Sequence, residues 1–246
     1  MRQYKKSIKM GRAFEFRKAR KMKRWANMSK MFTKFGRQIS MSVKQGGADL
    51  DNNSSLRMIV QNAKGANMPK DRIEAAIKKA SSKDDKDYEE VVYEGYAQFG
   101  IAILVECATD NPVRTVASVR SYLTRAGGTL GTKGSLDFMF ERKGVFKLKA
   151  EGLNAEELEL ELIDFGAEKI EVNEDNELVI YTAFSDFGTM QKCLEERKME
   201  VISAEPQRLP LNTVELTDEQ AEAISNLLEK FEEDEDVTSV YHNMKE

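Results

Sequence analysis

Histidine, cysteine and tryptophan are scarce in this chain of 246 residues, which contains one His, two Cys and one Trp. The single histidine, His242, lies close to the C-terminal end, so Ser–His–Asp catalysis, Cys–His catalysis and histidine-rich zinc sites are not expected. Cys107 and Cys193 are far apart and form no CxxC motif, which argues against a disulfide framework and favours a reducing compartment. The sequence therefore predicts no metal ion and no cofactor.

Long apolar runs are also missing. The longest one, residues 100–108, is much shorter than the roughly 20 apolar residues of a transmembrane helix. The basic N-terminal segment lacks the apolar stretch of a secretory signal. We therefore expect a cytoplasmic protein that does not bind a membrane, and no feature indicates a small-molecule substrate.

Charge is distributed very unevenly along the chain. The whole sequence has a net charge of −4, but residues 1–80 carry +16, residues 81–150 are neutral and residues 151–246 carry −20. Such an asymmetry is typical of a basic partner-binding module joined to an acidic remainder.

The basic part has the periodicity of helices and no strand pattern. Apolar spacing and turn residues predict helices over residues 12–26, 29–45 and 54–64, and a fourth that opens at Pro69. The polar residues 81–87 are predicted to form a linker. Residues 1–80 are therefore predicted to form a small helical bundle.

Strand patterns begin after the linker. Residues 100–107 and 135–141 are predicted strands on either side of a helix at residues 113–125. Residues 143–210 have the order βαββαβ, which is the ferredoxin-like split arrangement. The tail adds a strand at residues 213–216, a helix at 218–231 and a strand at 237–242.

These patterns predict an α+β fold with a helical bundle followed by two ferredoxin-like α/β domains. The bundle takes residues 1–80, and the middle domain takes residues 81–142 and 211–246. An acidic domain of residues 143–210 is inserted in the middle one.

The second predicted helix has two opposed faces. On a wheel of 100° per residue, the apolar face and the basic stripe lie on opposite sides. The apolar face consists of Phe32, Phe35, Ile39 and Val43, and the basic stripe of Lys30, Lys34, Arg37 and Lys44. A helix held by its apolar face would present four cations on the other.

The helix before it adds seven cations, with only Glu15 to offset them: Arg12, Arg17, Lys18, Arg20, Lys21, Lys23 and Arg24. Solvated surfaces usually mix both signs, so an excess of this kind favours binding to a nucleic acid. Such contacts to phosphates give affinity without reading base sequence. Further candidate contacts are Arg57, Lys70, Arg114 and Lys133.

No arrangement of residues indicates catalysis. The glycine-rich residues 127–135 lack the GxxxxGK[ST] spacing of a phosphate-binding loop and are predicted to form an exposed, mobile loop. The acidic run at residues 232–236 is predicted to be a solvated loop, with a basic protein partner as the alternative. Because no nucleophile, base and oxyanion donor come together, we expect a protein that is not an enzyme.

Several colinear motifs over residues 30–144 resemble the YebC/PmpR family. They include Phe32-Thr33-Lys34 with Arg37, Asn67-Met68-Pro69-Lys70, Tyr93-Glu94-Gly95-Tyr96, Thr109-Asp110-Asn111 and Arg114-Thr115. The family's opening G-H-S-K-W is replaced here by Gly11-Arg12-Ala13-Phe14-Glu15.

The resemblance implies three domains, the third inserted in the second, and a cytoplasmic, non-enzymatic regulator of gene expression. Its members are generally regarded as DNA-binding transcriptional regulators. The alternative is a ribosome-associated translation factor that binds rRNA and relieves stalling at proline-rich stretches. The absence of an evident base-reading array favours this alternative on physical grounds. The sequence leaves the oligomeric state open.

Overall fold

The computed structural model describes residues 28–82 and 86–245. Within these ranges, three helices come first and are followed by two four-stranded antiparallel sheets, each covered by helices. The expected α+β class is confirmed. The predicted helix at residues 12–26 lies outside the described residues.

The first three helices form the bundle: α1 (Met28–Gly46), α2 (Ser54–Gly65) and α3 (Lys70–Ala80). Its core is built from the apolar face of α1, with Ile39 and Val43, and from the buried Leu56 and Ile73 of the other two helices. Asn53 ends the turn after α1, because its side-chain oxygen accepts a hydrogen bond from the Leu56 backbone N–H at the start of α2. The predicted helical bundle is therefore present over the described part of residues 1–80.

The first sheet has the strand order β3-β1-β2-β8. Its strands are β1 (Glu89–Tyr96), β2 (Ala102–Thr109), β3 (Thr129–Leu130) and β8 (Val237–His242), and the helices α4 (Pro112–Arg125) and α7 (Asp218–Glu233) pack on one face. Val119, Leu123, Leu228 and Phe231 of these helices are almost fully buried against the sheet.

The second sheet has the strand order β5-β6-β4-β7. Its elements are β4 (Phe140–Lys149), α5 (Ala155–Leu162), β5 (Ala167–Val172), β6 (Glu177–Ala183), α6 (Phe187–Glu196) and β7 (Val201–Pro210). The sequence of elements is the βαββαβ arrangement expected for residues 143–210. The first sheet instead opens with the β1–β2 hairpin, so its strand order differs from that of the second.

The chain leaves the first sheet before β4 and returns to it only with α7 and β8. This path supports the proposal that residues 143–210 are an insertion, and the boundaries at residues 80, 142 and 210 remain part of that proposal. We call the first sheet with α4 and α7 the middle unit, and the second sheet with α5 and α6 the inserted unit.

Two local predictions are corrected by the structure, and one strand was missed. Residues 135–139 form turns rather than a strand, and β4 begins at Phe140. Residues 213–216 make only an isolated bridge, between Val214 and Met244. The strand β1 was not predicted, because its residues Glu89, Glu90 and Glu94 give it a polar composition.

Helix α2 packs against β7, the edge strand of the inserted unit. The Asn62 side chain donates a hydrogen bond to the Ala204 carbonyl and accepts one from the Ala204 N–H, both at 2.8 Å. Gly65 lies so close that a Cβ atom there would be 2.1 Å from the Ile202 carbonyl oxygen. Met58 adds an apolar contact with the core of the inserted unit. The amide of Asn62 thus satisfies the N–H and carbonyl groups of Ala204, which a neighbouring strand would otherwise bind.

Candidate nucleic-acid interface

The basic stripe of α1 points towards the middle unit. Its Lys34 ammonium donates a hydrogen bond of 3.0 Å to the Glu232 carbonyl oxygen, near the C-terminal end of α7. The carbonyl groups at this end of a helix carry partial negative charge, which stabilises a nearby cation. The guanidinium of Arg37 donates to the Ala108 carbonyl oxygen and lies over the Tyr88 ring.

Residues 232–236, which we call the acidic turn, complete this contact. Arg37 is 2.5 Å from an Asp236 carboxylate oxygen and 3.4 Å from a Glu235 carboxylate oxygen. The acidic run was expected to be a solvated loop, and this expectation is wrong for Asp236, which is 5% exposed.

Asp236 is the centre of the network. Its carboxylate also accepts hydrogen bonds from Arg114 at 2.8 Å, from the Thr115 hydroxyl at 2.8 Å and from the Thr109 hydroxyl at 3.3 Å. Burial alone would raise the pKa of Asp236, but the hydrogen bonds from Arg114, Thr115 and Arg37 outweigh burial, and the pKa is lowered. Asp236 is therefore a carboxylate at neutral pH and holds two guanidinium groups.

A second group of ion pairs extends this contact. Lys86 and Arg114 both bind Asp110, at 2.6 and 2.9 Å, and their hydrogen bonds lower the pKa of Asp110 to about 2. Lys44, at the end of α1, donates to Asp87 at 2.6 Å and to the Lys86 carbonyl oxygen at 2.7 Å. Two of the family-like motifs in the sequence, that of Lys34 and Arg37 and that of Asp110 and Arg114, thus meet in one ion network.

The structure consequently corrects the expectation that α1 presents four cations on a free face. Lys34, Arg37 and Lys44 are bound to acidic or carbonyl groups of the same chain. Lys30, one turn earlier, is half-buried. The other candidate on a helix of the middle unit, Arg114, is likewise held by carboxylates.

Arg57 and Lys70 have different surroundings. The Arg57 guanidinium donates to the carbonyl oxygens of Leu50 and Asp51 and so holds the turn before α2. Lys70 is exposed at the start of α3 and lies 3.6 Å from Glu74, a weak pair at the surface. Lys70 remains a candidate for binding, whereas Arg57 has a structural role. The candidates Arg12 to Arg24 lie outside the described residues.

The exposed surface of α2 and α3 carries cations that the wheel of α1 did not single out, one of which, Arg72, lies over the Phe32 ring of α1. We call this set the basic face; its members are exposed, and they are Lys64, Lys70, Arg72, Lys78 and Lys79. The opposing carboxylates on α3 are Asp71 and Glu74. The net charge of residues 1–80 indicated these cations in the sequence, because that sum includes every helix of the bundle.

Lys133 lies on the glycine-rich loop between β3 and β4, and this loop is held in place. The buried Glu94 carboxylate accepts hydrogen bonds from the backbone N–H groups of Gly134 and Leu136, at 2.7 and 2.6 Å. These bonds explain why the segment is a turn rather than a strand, and they leave Lys133 exposed. Phe138, next along the loop, is 72% exposed.

Within residues 28–82 and 86–245, no group of three or more His, Cys, Asp and Glu side chains is arranged to hold a metal ion. The helices of the same ranges include none that is long and apolar enough to cross a membrane.

Two family descriptions match the chain. The TACO1/YebC protein N-terminal domain matches residues 12–83, and the TACO1/YebC second and third domain matches residues 88–244.

Two relatives that are similar to the chain over nearly its whole length carry the same name. It is 63% identical over 237 residues to a "probable transcriptional regulatory protein" of Cytophaga hutchinsonii, covering 96% of this chain and 99% of the relative. A protein of Myxococcus xanthus with the same name is 48% identical over 239 residues, covering 96% and 100%.

Among solved structures, the chain resembles the conserved hypothetical protein Aq1575 of Aquifex aeolicus, with a TM-score of 0.78 and 36% identity. The match covers 89% of this chain and 91% of that one.

Proposed function

The chain belongs to the TACO1/YebC family, and we propose that it is a non-enzymatic, cytoplasmic regulator of gene expression that binds nucleic acid, with duplex DNA as the first candidate. The name of the curated relatives, probable transcriptional regulatory protein, supports a role in transcription. The bundle is the part that binds.

The observation that carries this proposal is the basic face. Five exposed cations on α2 and α3 compare with two carboxylates on the same helices, and the sequence before residue 28 is itself rich in Lys and Arg. Exposed cations gain from contact with phosphates, because binding releases the counterions of the nucleic acid. Of the α1 cations, Arg37 and Lys44 are bound to carboxylates and Lys34 to a carbonyl oxygen, so these three contribute less.

Fluorescence anisotropy with a labelled duplex of about 20 base pairs, measured over a range of salt concentrations, tests the basic face. We expect the triple variant Lys70→Glu, Lys78→Glu and Lys79→Glu to weaken binding for every duplex sequence. The log–log salt slope should become less steep by roughly 0.9 for each phosphate contact that is lost.

The matched control makes the same charge change on the inserted unit, at the exposed Lys149, Lys169 and Lys192. It should leave the salt slope unchanged. A basic-face variant with the affinity and slope of this control would contradict the assignment of the interface.

The second candidate function is that of a ribosome-associated translation factor, and the exposed aromatic rings of the middle unit favour it. Phe99 and Phe138 are 43% and 72% exposed, and the loop of Phe138 also presents Lys133. Aromatic rings beside cations can stack on unpaired bases, which folded RNA offers and duplex DNA does not.

Sedimentation of cell extract on a gradient separates the two candidates. Parallel samples are treated with DNase or with RNase before the run. If the protein still migrates with ribosomal subunits after DNase treatment, this result would support the ribosomal function and count against binding to promoters.

A further inference from the structure

We propose that the acidic turn, residues 232–236, competes with nucleic-acid phosphates for the basic stripe of α1, so that a bound polyanion loosens the contact between the bundle and the middle unit. This proposal rests on the proposed function, in which the bundle binds nucleic acid. It adds regulation of the access to two of the cations, Lys34 and Arg37.

The groups that meet the stripe resemble those of a phosphate backbone. Arg37 is bound by oxygen atoms of two carboxylates, Asp236 and Glu235, and Lys34 by a carbonyl oxygen at the negative end of α7. Arginine binds carboxylates and phosphates with the same planar set of donors. The acidic turn therefore occupies the cations that a phosphate would use.

The middle unit can release α1 without leaving Asp236 unpaired. Three of the four side chains that donate to its carboxylate, those of Arg114, Thr115 and Thr109, belong to the middle unit itself. Only Arg37 comes from the bundle. Loss of Arg37 would thus leave a carboxylate that keeps a cation and two hydroxyl groups, and Arg37 would gain a phosphate.

The apolar packing also permits release. Of the apolar clusters formed by the described residues, none joins the bundle to the middle unit, whereas Met58 links the bundle to the core of the inserted unit. The bundle is therefore tied to the middle unit mainly by ion pairs and polar hydrogen bonds. Added ions weaken the exposed Arg37–Glu235 pair, whereas the buried Arg37–Asp236 pair is screened much less and requires a phosphate that replaces the carboxylate.

Carbodiimide cross-linking followed by mass spectrometry tests this competition. Lys44 at the end of α1 and Asp87, two residues before β1 of the middle unit, are 2.6 Å apart, so they should form an amide cross-link in the free protein. Lys149 and Glu200, 2.7 Å apart within the inserted unit, provide the matched control pair. We expect saturating duplex DNA, and inorganic polyphosphate in a parallel sample, to reduce the first cross-link several-fold and to leave the second unchanged.

A pair of variants tests the same point through affinity. Glu232→Gln with Glu235→Gln removes two charges from the acidic turn and leaves Asp236 in place. Glu219→Gln with Glu222→Gln removes two charges from exposed positions on the first turns of α7. We expect the first variant to bind the duplex several-fold more tightly than the control, which corrects for the change in net charge.

The outcomes separate the two proposals. Failure of the wild-type chain to bind duplex DNA or RNA at low salt would contradict the proposed function, while the polyphosphate sample would still test the competition. A Lys44–Asp87 cross-link that neither polyanion reduces would overturn the competition. Equal affinities of the two double variants would overturn it as well.

Discussion

The bundle is held on two sides by contacts of different kinds. Towards the inserted unit, α2 offers a glycine without a side chain, an amide paired with one backbone position, an apolar residue and one partly exposed ion pair, Arg57–Glu195 at 3.6 Å. Towards the middle unit, α1 offers cations that bind carboxylates and carbonyl oxygens. Close packing depends on shape and is insensitive to salt, whereas the exposed ion pairs of the second contact, such as that of Glu235, depend on the ions in solution. The buried Arg37–Asp236 pair does so much less. The first contact is suited to permanence and the second to exchange.

Removal of the charge at the centre of the ionic contact should have the largest effect. In Asp236→Asn, two guanidinium groups lose their carboxylate, and we expect the free energy of unfolding to fall by about 3 kcal/mol at neutral pH. Urea unfolding measures this change. Glu235→Gln is the control, because Glu235 is exposed and should contribute less than about 1 kcal/mol.

The same pair of proteins has a defined pH dependence. Because the pKa of Asp236 is lowered in the folded protein, its contribution is complete above its ordinary value of 3.8 and decreases as the pH falls through the lowered value. The difference in stability between wild type and Asp236→Asn should therefore stay constant from pH 7 to about pH 4 and narrow below it. A difference that already narrows near pH 6 would contradict the ionic account.

A methyl group at Gly65 should break the packed contact. In Gly65→Ala the Cβ atom would meet the Ile202 carbonyl oxygen, and we expect a loss of about 1–3 kcal/mol, measured by urea unfolding. Gly36→Ala is the matched control within α1, where nothing lies within 4 Å of an added Cβ. This variant should gain about 0.5–1 kcal/mol, since alanine favours a helix over glycine. Equal effects would mean that α2 does not lie closely on β7.

The smallest expected effect comes from the amide that pairs with β7. Asn62→Ala removes two hydrogen bonds, and we expect a loss of about 1–2 kcal/mol that differs little between low and high salt. Gln61→Ala removes a single bond of 3.1 Å to the Val201 carbonyl oxygen and should cost about half as much. If added salt changed the effect of Asn62→Ala as much as that of Asp236→Asn, the distinction between the two contacts would fail.

The sequence predicted local structure better than it predicted contacts. The wheel of α1 placed its apolar and basic faces correctly, because the helical period depends on neighbouring residues. It did not reveal the partner of the basic stripe, since Arg37 and Asp236 are 199 positions apart and no periodic signal connects them. The stripe was expected to be free because the periodicity of one helix contains no information about distant residues.

The strand predicted at residues 135–141 was wrong over residues 135–139 for a related reason. Its alternation of apolar and polar residues is typical of a strand, yet the buried carboxylate of Glu94 binds the N–H groups of Gly134 and Leu136 and fixes a turn. A carboxylate 40 positions away in the sequence thus overrides the local pattern. The strand β1, which supplies Glu94, was missed because its own composition is polar.

The place where the inserted unit joins the first sheet has a consequence for evolution and for engineering. The strands β4 and β7 leave and return side by side: Phe140 is paired with Pro210, and the Leu211 N–H bonds the Met139 carbonyl oxygen. Two neighbouring ends can be joined by a tight turn of a few residues, so an element attached in this way can be lengthened, exchanged or deleted without stretching its host. In this chain α2 of the bundle packs against β7 of the inserted unit, so a replacement for that unit would have to supply another strand edge for α2.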